Sequence, residues 1–323
     1  MDVKTVLKNG IARLREAEVA SYTLAAELLL LHVLGRNRTW IYAHPEEAIA
    51  QADEQRYFEL IARRVAGEPT QHLTGKQEFW GLEFEVTPDV LIPRPETEHV
   101  IEVVLDRLAV REVRAGRPNK TDGAGLHVAD IGTGSGCIAI ALAKELPAAQ
   151  FVATDISPSA LIVAGRNAVR HGVDGRIQFV EANLLDRSTV PDVSGELLSA
   201  RVVGSEVVSA EEPSLSLFDV IVSNPPYVGR REAGTLALEV REHEPEIALY
   251  GGEEGYEFYA DLIAQGARHL KPGGILVLEL GYNSLPAVQP LLEPADWSNV
   301  GISSDLAGIA RIIAAEKAET LER

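Results

Sequence analysis

What most limits the fold of this chain is a regular alternation that begins at Leu126. Short apolar or β-branched runs, expected as strands at 126–130, 150–155, 176–181, 217–223 and 274–280, alternate with stretches of helical period. Those stretches predict helices over 136–146, 158–171 and 254–269, with another near 284–292. Alternation of this kind produces parallel strands joined by crossover helices and leaves few topologies open. A final pair of strands near 297–303 and 308–315 completes a seven-stranded, mostly parallel sheet of the α/β class. Residues 188–216 interrupt the rhythm with a Ser-, Val- and Glu-rich stretch of no clear period, expected as a surface insertion.

Two strand ends carry the chemistry. The run Phe218-Asp219-Val220-Ile221-Val222 is followed by Ser223-Asn224-Pro225-Pro226-Tyr227. Neither proline can donate a ladder hydrogen bond, so the chain must turn just past the strand's carboxyl end. Open α/β sheets bind ligands at that end. Asn224 precedes a proline and is pushed towards extended backbone, so its amide is presented by a stiff turn. An amide oxygen beside a proline carbonyl makes two acceptors, which suits a planar NH2 group. Tyr227 adds a flat ring on which a planar substrate could lie. The bland alternative is a proline-stiffened turn around a satisfied Asn. The tetrapeptide Asn-Pro-Pro-Tyr arises by chance in roughly one chain in a thousand of this length.

Upstream, Asp130-Ile131-Gly132-Thr133-Gly134-Ser135-Gly136 ends the first strand and opens a helix. Glycines there let the backbone turn sharply and approach a ligand. Asp155 follows Gly136 by nineteen residues at the end of the second strand, where a carboxylate can accept ribose hydroxyls. A dinucleotide fingerprint would want glycine where Cys137 stands. The Asp-x-Gly-x-Gly-x-Gly spacing instead resembles the motif of S-adenosylmethionine-dependent methyltransferases. By that resemblance Gly132, Thr133, Gly134, Ser135, Gly136 and Asp155 hold the cofactor, and Asn183 and Leu184, after the third strand, hold its adenine. Cys137 reads as a small buried helix residue. It is the single cysteine, so neither an intramolecular disulfide nor a multi-cysteine zinc site is available. The eight histidines lack metal-ligand spacing, and no metal is expected.

Residues 1–66 read as helices. Ala25, Leu28, Leu29 and Val33 recur at helical spacing before Gly35, and a further helix is expected from Glu47 to Val65. Residues 77–92 change period and read as a β-hairpin, with Val90-Leu91-Ile92 after the Pro88-Asp89 turn. Thr97 is a candidate cap for a helix from Glu98 to Val113. The domains expected are 1–75, a hairpin linker over 76–98, and 99–323. Net charge is −18, with −1 in residues 1–75 and −17 beyond, which opposes a broad nucleic-acid footprint. No run reaches the ~18 apolar residues that span a bilayer, and no signal peptide opens the chain, so a cytoplasmic location is expected.

Taken together, the glycine loop, Asp155 and the Asn-Pro-Pro-Tyr turn resemble class I methyltransferases that act on a planar NH2 nitrogen. Gly67-Glu68-Pro69 and the stretch from Val90 to Glu98 resemble the linker of the HemK/PrmC family of release-factor glutamine methyltransferases. Glu244-Pro245, Ala248-Leu249-Tyr250-Gly251-Gly252 and Gly255 extend that resemblance, as does Ala26-Glu27-Leu28-Leu29-Leu30 in the helical region. It implies a Rossmann-like class I S-adenosylmethionine-dependent domain with a small N-terminal helical docking domain. The substrate implied is the glutamine of the Gly-Gly-Gln loop of peptide chain release factors. Asn224, Pro225 and Tyr227 are implied as catalytic, with Pro226 also contacting substrate. Two rival readings are a nucleic-acid adenine methyltransferase, which would want a basic groove, and a non-catalytic cofactor-binding protein that docks on release factors. Neither a membrane nor a nucleic-acid substrate is expected.

Overall fold

The computed structural model describes residues 1–116, 122–185 and 217–319. The insertion expected at 188–216 lies outside them. Among the described residues no helix is long and apolar enough to cross a membrane.

Helix α1 (Val3–Glu16) starts where the Asp2 carboxylate accepts the Thr5 N–H at 2.7 Å, an N-cap that satisfies an otherwise unpaired donor. Helix α2 (Tyr22–Leu34) ends at Gly35 in the left-handed region. After the short α3 (Arg38–Ala43) come α4 (Gln51–Val65) and α5 (Thr70–Thr74). The start of α4 departs from expectation: after a turn at 45–46, residues 47–49 bridge to the N-terminal segment through Val3 N to Glu47 O and Ile49 N to Met1 O, so the helix begins only at Gln51. Leu14, Leu29, Leu30, Tyr57 and Ile61 form the core of this bundle. Leu28, expected on the buried face, is exposed instead, because neighbouring helices take up Leu29 and Leu30.

Strands β1 (Lys76–Phe79) and β2 (Leu82–Glu85) pair antiparallel around Trp80-Gly81. Both turn residues have positive φ, the twist that a tight hairpin requires. The hairpin packs on the larger domain: Phe79 and Phe84 are buried in its core, each worth about 2–3 kcal/mol of burial. Val90-Leu91-Ile92 form no strand. The Ile92 N–H is taken by the Glu244 carboxylate at 3.1 Å rather than by a ladder.

A 3-10 turn over Pro95–Thr97 leads into α6 (Glu98–Arg114). There follow β3 (His127–Ile131), α7 (Cys137–Glu145), β4 (Gln150–Asp155), α8 (Pro158–His171) and β5 (Ile177–Glu181). Next are β6 (Phe218–Ser223), β7 (Val228–Gly229), α9 (Leu238–His243), α10 (Glu246–Leu249) and β8 (Tyr250–Gly252). The chain closes with α11 (Phe258–His269), β9 (Leu270–Glu279), α12 (Leu285–Val288), β10 (Trp297–Ser304) and β11 (Ala310–Lys317). Helix α11 begins four residues later than its period predicts. The Glu257 carboxylate accepts the N–H groups of Glu254 and Gly255, at 2.9 Å each, and holds that segment as a loop.

The large sheet has seven strands in the order β10-β11-β9-β6-β3-β4-β5, with β11 antiparallel to both its neighbours, β9 and β10, so that β10 runs in the same sense as the other five. One face, through Val128, Val220 and Val222, packs on α6, α7 and α8. The other, through Ile131, Ile221, Leu276 and Leu278, packs on α11 and α12. Strand order reverses between β3 and β6, whose successors β4 and β9 lie on opposite sides. Such a switch point opens a crevice at the carboxyl ends of its two strands.

Candidate active site

Both sequence motifs leave the sheet at that switch point. Ile131 and Ser223 are register partners on β3 and β6, and the Ser223 hydroxyl donates to the Ile131 carbonyl at 2.7 Å. Gly132 and Asn224 are thus the first residues beyond two tied strand ends. They line a cavity of about 260 Å³ with Thr133, Gly134, Ser135, Asp155, Asn183, Leu184, Pro225 and Pro226.

The glycine loop is held from below. Gly132 and Thr133 both donate to the Thr154 carbonyl at 2.9 Å, and Gly134 N–H donates to an Asp155 carboxylate oxygen at 2.8 Å. The other Asp155 oxygen accepts from Ser157 N at 2.9 Å. Each oxygen keeps a lone pair for a ligand hydroxyl, and burial pushes this carboxyl above the usual aspartate range. Gly136 does not line the cavity but closes the turn. A β-carbon there would lie 2.9 Å from Ile140 and 3.2 Å from Ala164, so only glycine lets α7 approach α8. Asp130 is fully buried, and burial raises its pKa to about 6. One oxygen accepts from Thr133 Oγ1 at 2.6 Å and from Ala139 N at 3.1 Å, while Oδ1 has no partner. The buried Ser135 hydroxyl also lacks one. Unsatisfied polar atoms beside an open glycine loop and a free-faced carboxylate suit a ligand with amino, carboxylate and ribose groups, as S-adenosylmethionine has. Cys137 lines the same cavity as a neutral thiol, its pKa pushed up to about 12 by burial.

Opposite, the Asn224 side chain is fixed by one bond: Nδ2 donates to Thr97 Oγ1 at 3.1 Å. Its Oδ1 is buried and has no partner. Pro225 and Pro226 continue the wall. The small sheet formed by β7 and β8 braces them from behind. A β-carbon on Gly251 would stand 2.3 Å from the Pro226 carbonyl oxygen, so the strand can sit there only without a side chain.

Tyr227 is not among the cavity residues, which corrects the platform expected of it. Its ring packs into the second core against Gly281, and its hydroxyl faces the buried carboxyl of Glu279. A phenol turned inward needs a polar neighbour, and the Glu279 carboxyl supplies one. Burial raises the Tyr227 pKa, so it stays protonated.

Sequence patterns assigned no site role to several contributors to the cavity wall. Leu91, Pro93 and Thr97 come from the segment before α6, and Ile247 from α10. The anchor of that segment is Glu244, buried, which accepts from Ile92 N and pairs with the Arg94 guanidinium. The only signal in the chain was the resemblance of both stretches to one family, since partners 150 residues apart share no local pattern.

Comparison with known proteins agrees with this geometry. A family model described as the PrmC N-terminal domain matches residues 5–75, and one described as a methyltransferase domain matches residues 122–286. The chain is 41% identical to a release factor glutamine methyltransferase of Koribacter versatilis, over 98% of this chain and 99% of that protein. It is 38% identical to one of Bradyrhizobium diazoefficiens, over 98% of this chain and 95% of the other. Among solved structures, the catalytic domain of hMettl16, determined with the MAT2A 3'UTR hairpin 6, superposes with a TM-score of 0.52. The match covers 81% of this chain and 84% of that one at 16% identity, a likeness of fold alone.

Proposed function

Because this chain belongs to the release factor glutamine methyltransferases, and so is an S-adenosylmethionine-dependent protein-glutamine methyltransferase that acts on release factors, we propose that its target is the glutamine of their Gly-Gly-Gln motif. Methylation there, on the side-chain amide nitrogen, supports translation termination. The observation that carries the reading is the Asn224 Oδ1 atom, buried in the cavity wall with no protein partner. A buried acceptor left open costs about 1–3 kcal/mol, a penalty that a substrate N–H removes.

Asn224 Oδ1 and the Pro225 carbonyl each accept one N–H of the glutamine amide. An amide nitrogen is a poor nucleophile because its lone pair is delocalised into the carbonyl. Two acceptors fix the nitrogen and stabilise the positive charge that grows on it. Once methylated, the nitrogen is acidic and sheds a proton to water, so no strong base is needed beforehand. Pro226 forms the adjoining wall, while Tyr227 supports the turn from behind. Bound in the same cavity, S-adenosylmethionine supplies the activated methyl group. Gly132, Thr133, Gly134 and Ser135 would cradle its amino-acid end, Asp155 would accept its ribose hydroxyls, and Asn183 and Leu184 would flank its adenine.

The test is transfer of labelled methyl to purified unmethylated release factor, beside one whose Gly-Gly-Gln glutamine is replaced. Label on the first and not the second is the expected result. Label on neither, with DNA or RNA accepting methyl instead, would overturn the assignment. A second expected result is that Asn224→Ala lowers turnover about a hundred-fold or more while cofactor affinity changes little. Equal loss of both would remove Asn224 from its role.

A further inference from the structure

We propose that Thr97 is a positioning residue for the methyl-accepting amide: its hydroxyl dictates which end of the Asn224 side chain faces the substrate. The proposal rests on the glutamine-methylation reading above and names a residue 127 positions from the one it acts on.

Four observations lead to it. Thr97 stands at the junction of the Pro95–Thr97 turn and α6, where a threonine would ordinarily cap the helix, yet its side chain makes no capping bond. It is 1% exposed, so its hydroxyl must find partners inside the protein. Its oxygen accepts Asn224 Nδ2 at 3.1 Å. The opposite end of that amide, Oδ1, is left buried and open.

Chemistry sets the direction of the chain of bonds. An asparagine amide is nearly symmetric in shape and can turn over to exchange oxygen for NH2. With NH2 facing the cleft it would oppose the glutamine NH2, donor against donor. Thr97 has one hydroxyl proton. Glu279, buried at the end of β9, faces both the Thr97 and Tyr227 hydroxyls. Once ionised, above about pH 7, this carboxyl only accepts, so the Thr97 proton is directed to Glu279 and the threonine oxygen is left with lone pairs alone. An oxygen that can only accept selects the NH2 end of Asn224, and Oδ1 is thereby turned to the substrate. With Glu279 ionised, carboxyl, hydroxyl and amide form a relay of one polarity, which the Thr97-to-Asn224 bond hands on to the cleft.

The experiment compares Thr97→Val, which keeps the shape and loses the hydroxyl, with Thr97→Ser, which keeps the hydroxyl and loses the methyl. Each is assayed for methyl transfer to release factor under saturating conditions, with cofactor affinity measured by calorimetry. Thr97→Val is expected to lower kcat about ten- to hundred-fold with KM and cofactor affinity nearly unchanged, the mark of an interaction felt in the transition state. Thr97→Ser is expected to retain most of kcat. Equal losses in the two variants would mean that packing matters and the hydroxyl does not. A valine variant as fast as wild type would also overturn the proposal. If valine does not fold, Thr97→Cys takes its place, since a thiol is a weak acceptor, and a cysteine variant matching serine in kcat would be decisive against it. Wild-type enzyme run in parallel separates the two claims. Failure of wild type to label the glutamine removes the underlying reading, whereas normal wild-type labelling with an unaffected valine variant removes only the role of Thr97.

Discussion

Asn224 and Glu279 show how one buried carboxyl can matter to a site that it does not touch. Glu279 lies behind the cleft with Thr97 and Tyr227 as hydroxyl neighbours, and Arg311 and Glu96 act on it from further off. Burial dominates and pushes its pKa up to about 7 from the ordinary glutamate value of 4.5. The folded protein therefore binds this proton more tightly than the unfolded chain does. Between about pH 4.5 and about pH 7 the unfolded state has released the proton and the folded state has not, so the group's contribution to stability falls as pH rises through that window. Glu279→Gln does not titrate. Urea midpoints measured across the window should shift in the variant's favour, relative to wild type, as pH increases. A difference independent of pH would mean that Glu279 ionises normally in the folded protein.

At the scale of elements, the segment from Leu91 to Thr97 is a strap rather than part of a hairpin. It forms one wall of the cavity, and its anchor is a single buried carboxylate, Glu244, between α9 and α10. Removing one partner of a buried, hydrogen-bonded charge pair leaves the other uncompensated. Glu244→Ala is accordingly expected to destabilise the fold by about 3 kcal/mol and to weaken cofactor affinity, because the strap loses its register. Chemical denaturation and calorimetry would measure the two effects. A variant with unchanged stability would show that Arg94 and Ile92 find water in place of the carboxylate. The period of the chain gave no hint of this strap. Val90-Leu91-Ile92 has the composition of a strand, and only the carboxylate opposite the Ile92 N–H decides that it does not pair.

For the whole molecule, the N-terminal bundle has its own core and meets the larger domain at a small polar contact. Arg64, buried near the end of α4, pairs with Glu239 on α9, and the Leu238 side chain lies against Gly67. Breaking this contact should loosen the junction without disturbing either core. Arg64→Ala is expected to speed limited proteolysis between residues 66 and 69 several-fold while the far-ultraviolet spectrum stays constant. An unchanged cleavage rate would mean that the hairpin, through Arg166 to Glu85 and Arg170 to Glu83, holds the junction by itself.

What the sequence by itself determined is local. Period-2 and period-3.6 patterns located every strand of the large sheet to within a few residues, because each strand or helix must show its own apolar face to a core. Pro225 and Pro226 stop β6 wherever it packs, and the glycines of residues 132–136 turn the chain whatever surrounds them. Tertiary structure decided the rest, because contacts between distant residues leave no local pattern to read. Only folding brings Thr97 to Asn224, turns Tyr227 away from the cleft towards Glu279, and sets Glu244 under Ile92. Those pairings depend on which buried polar group lies nearest once the strands have aligned, and that choice belongs to the packed chain rather than to any stretch of it.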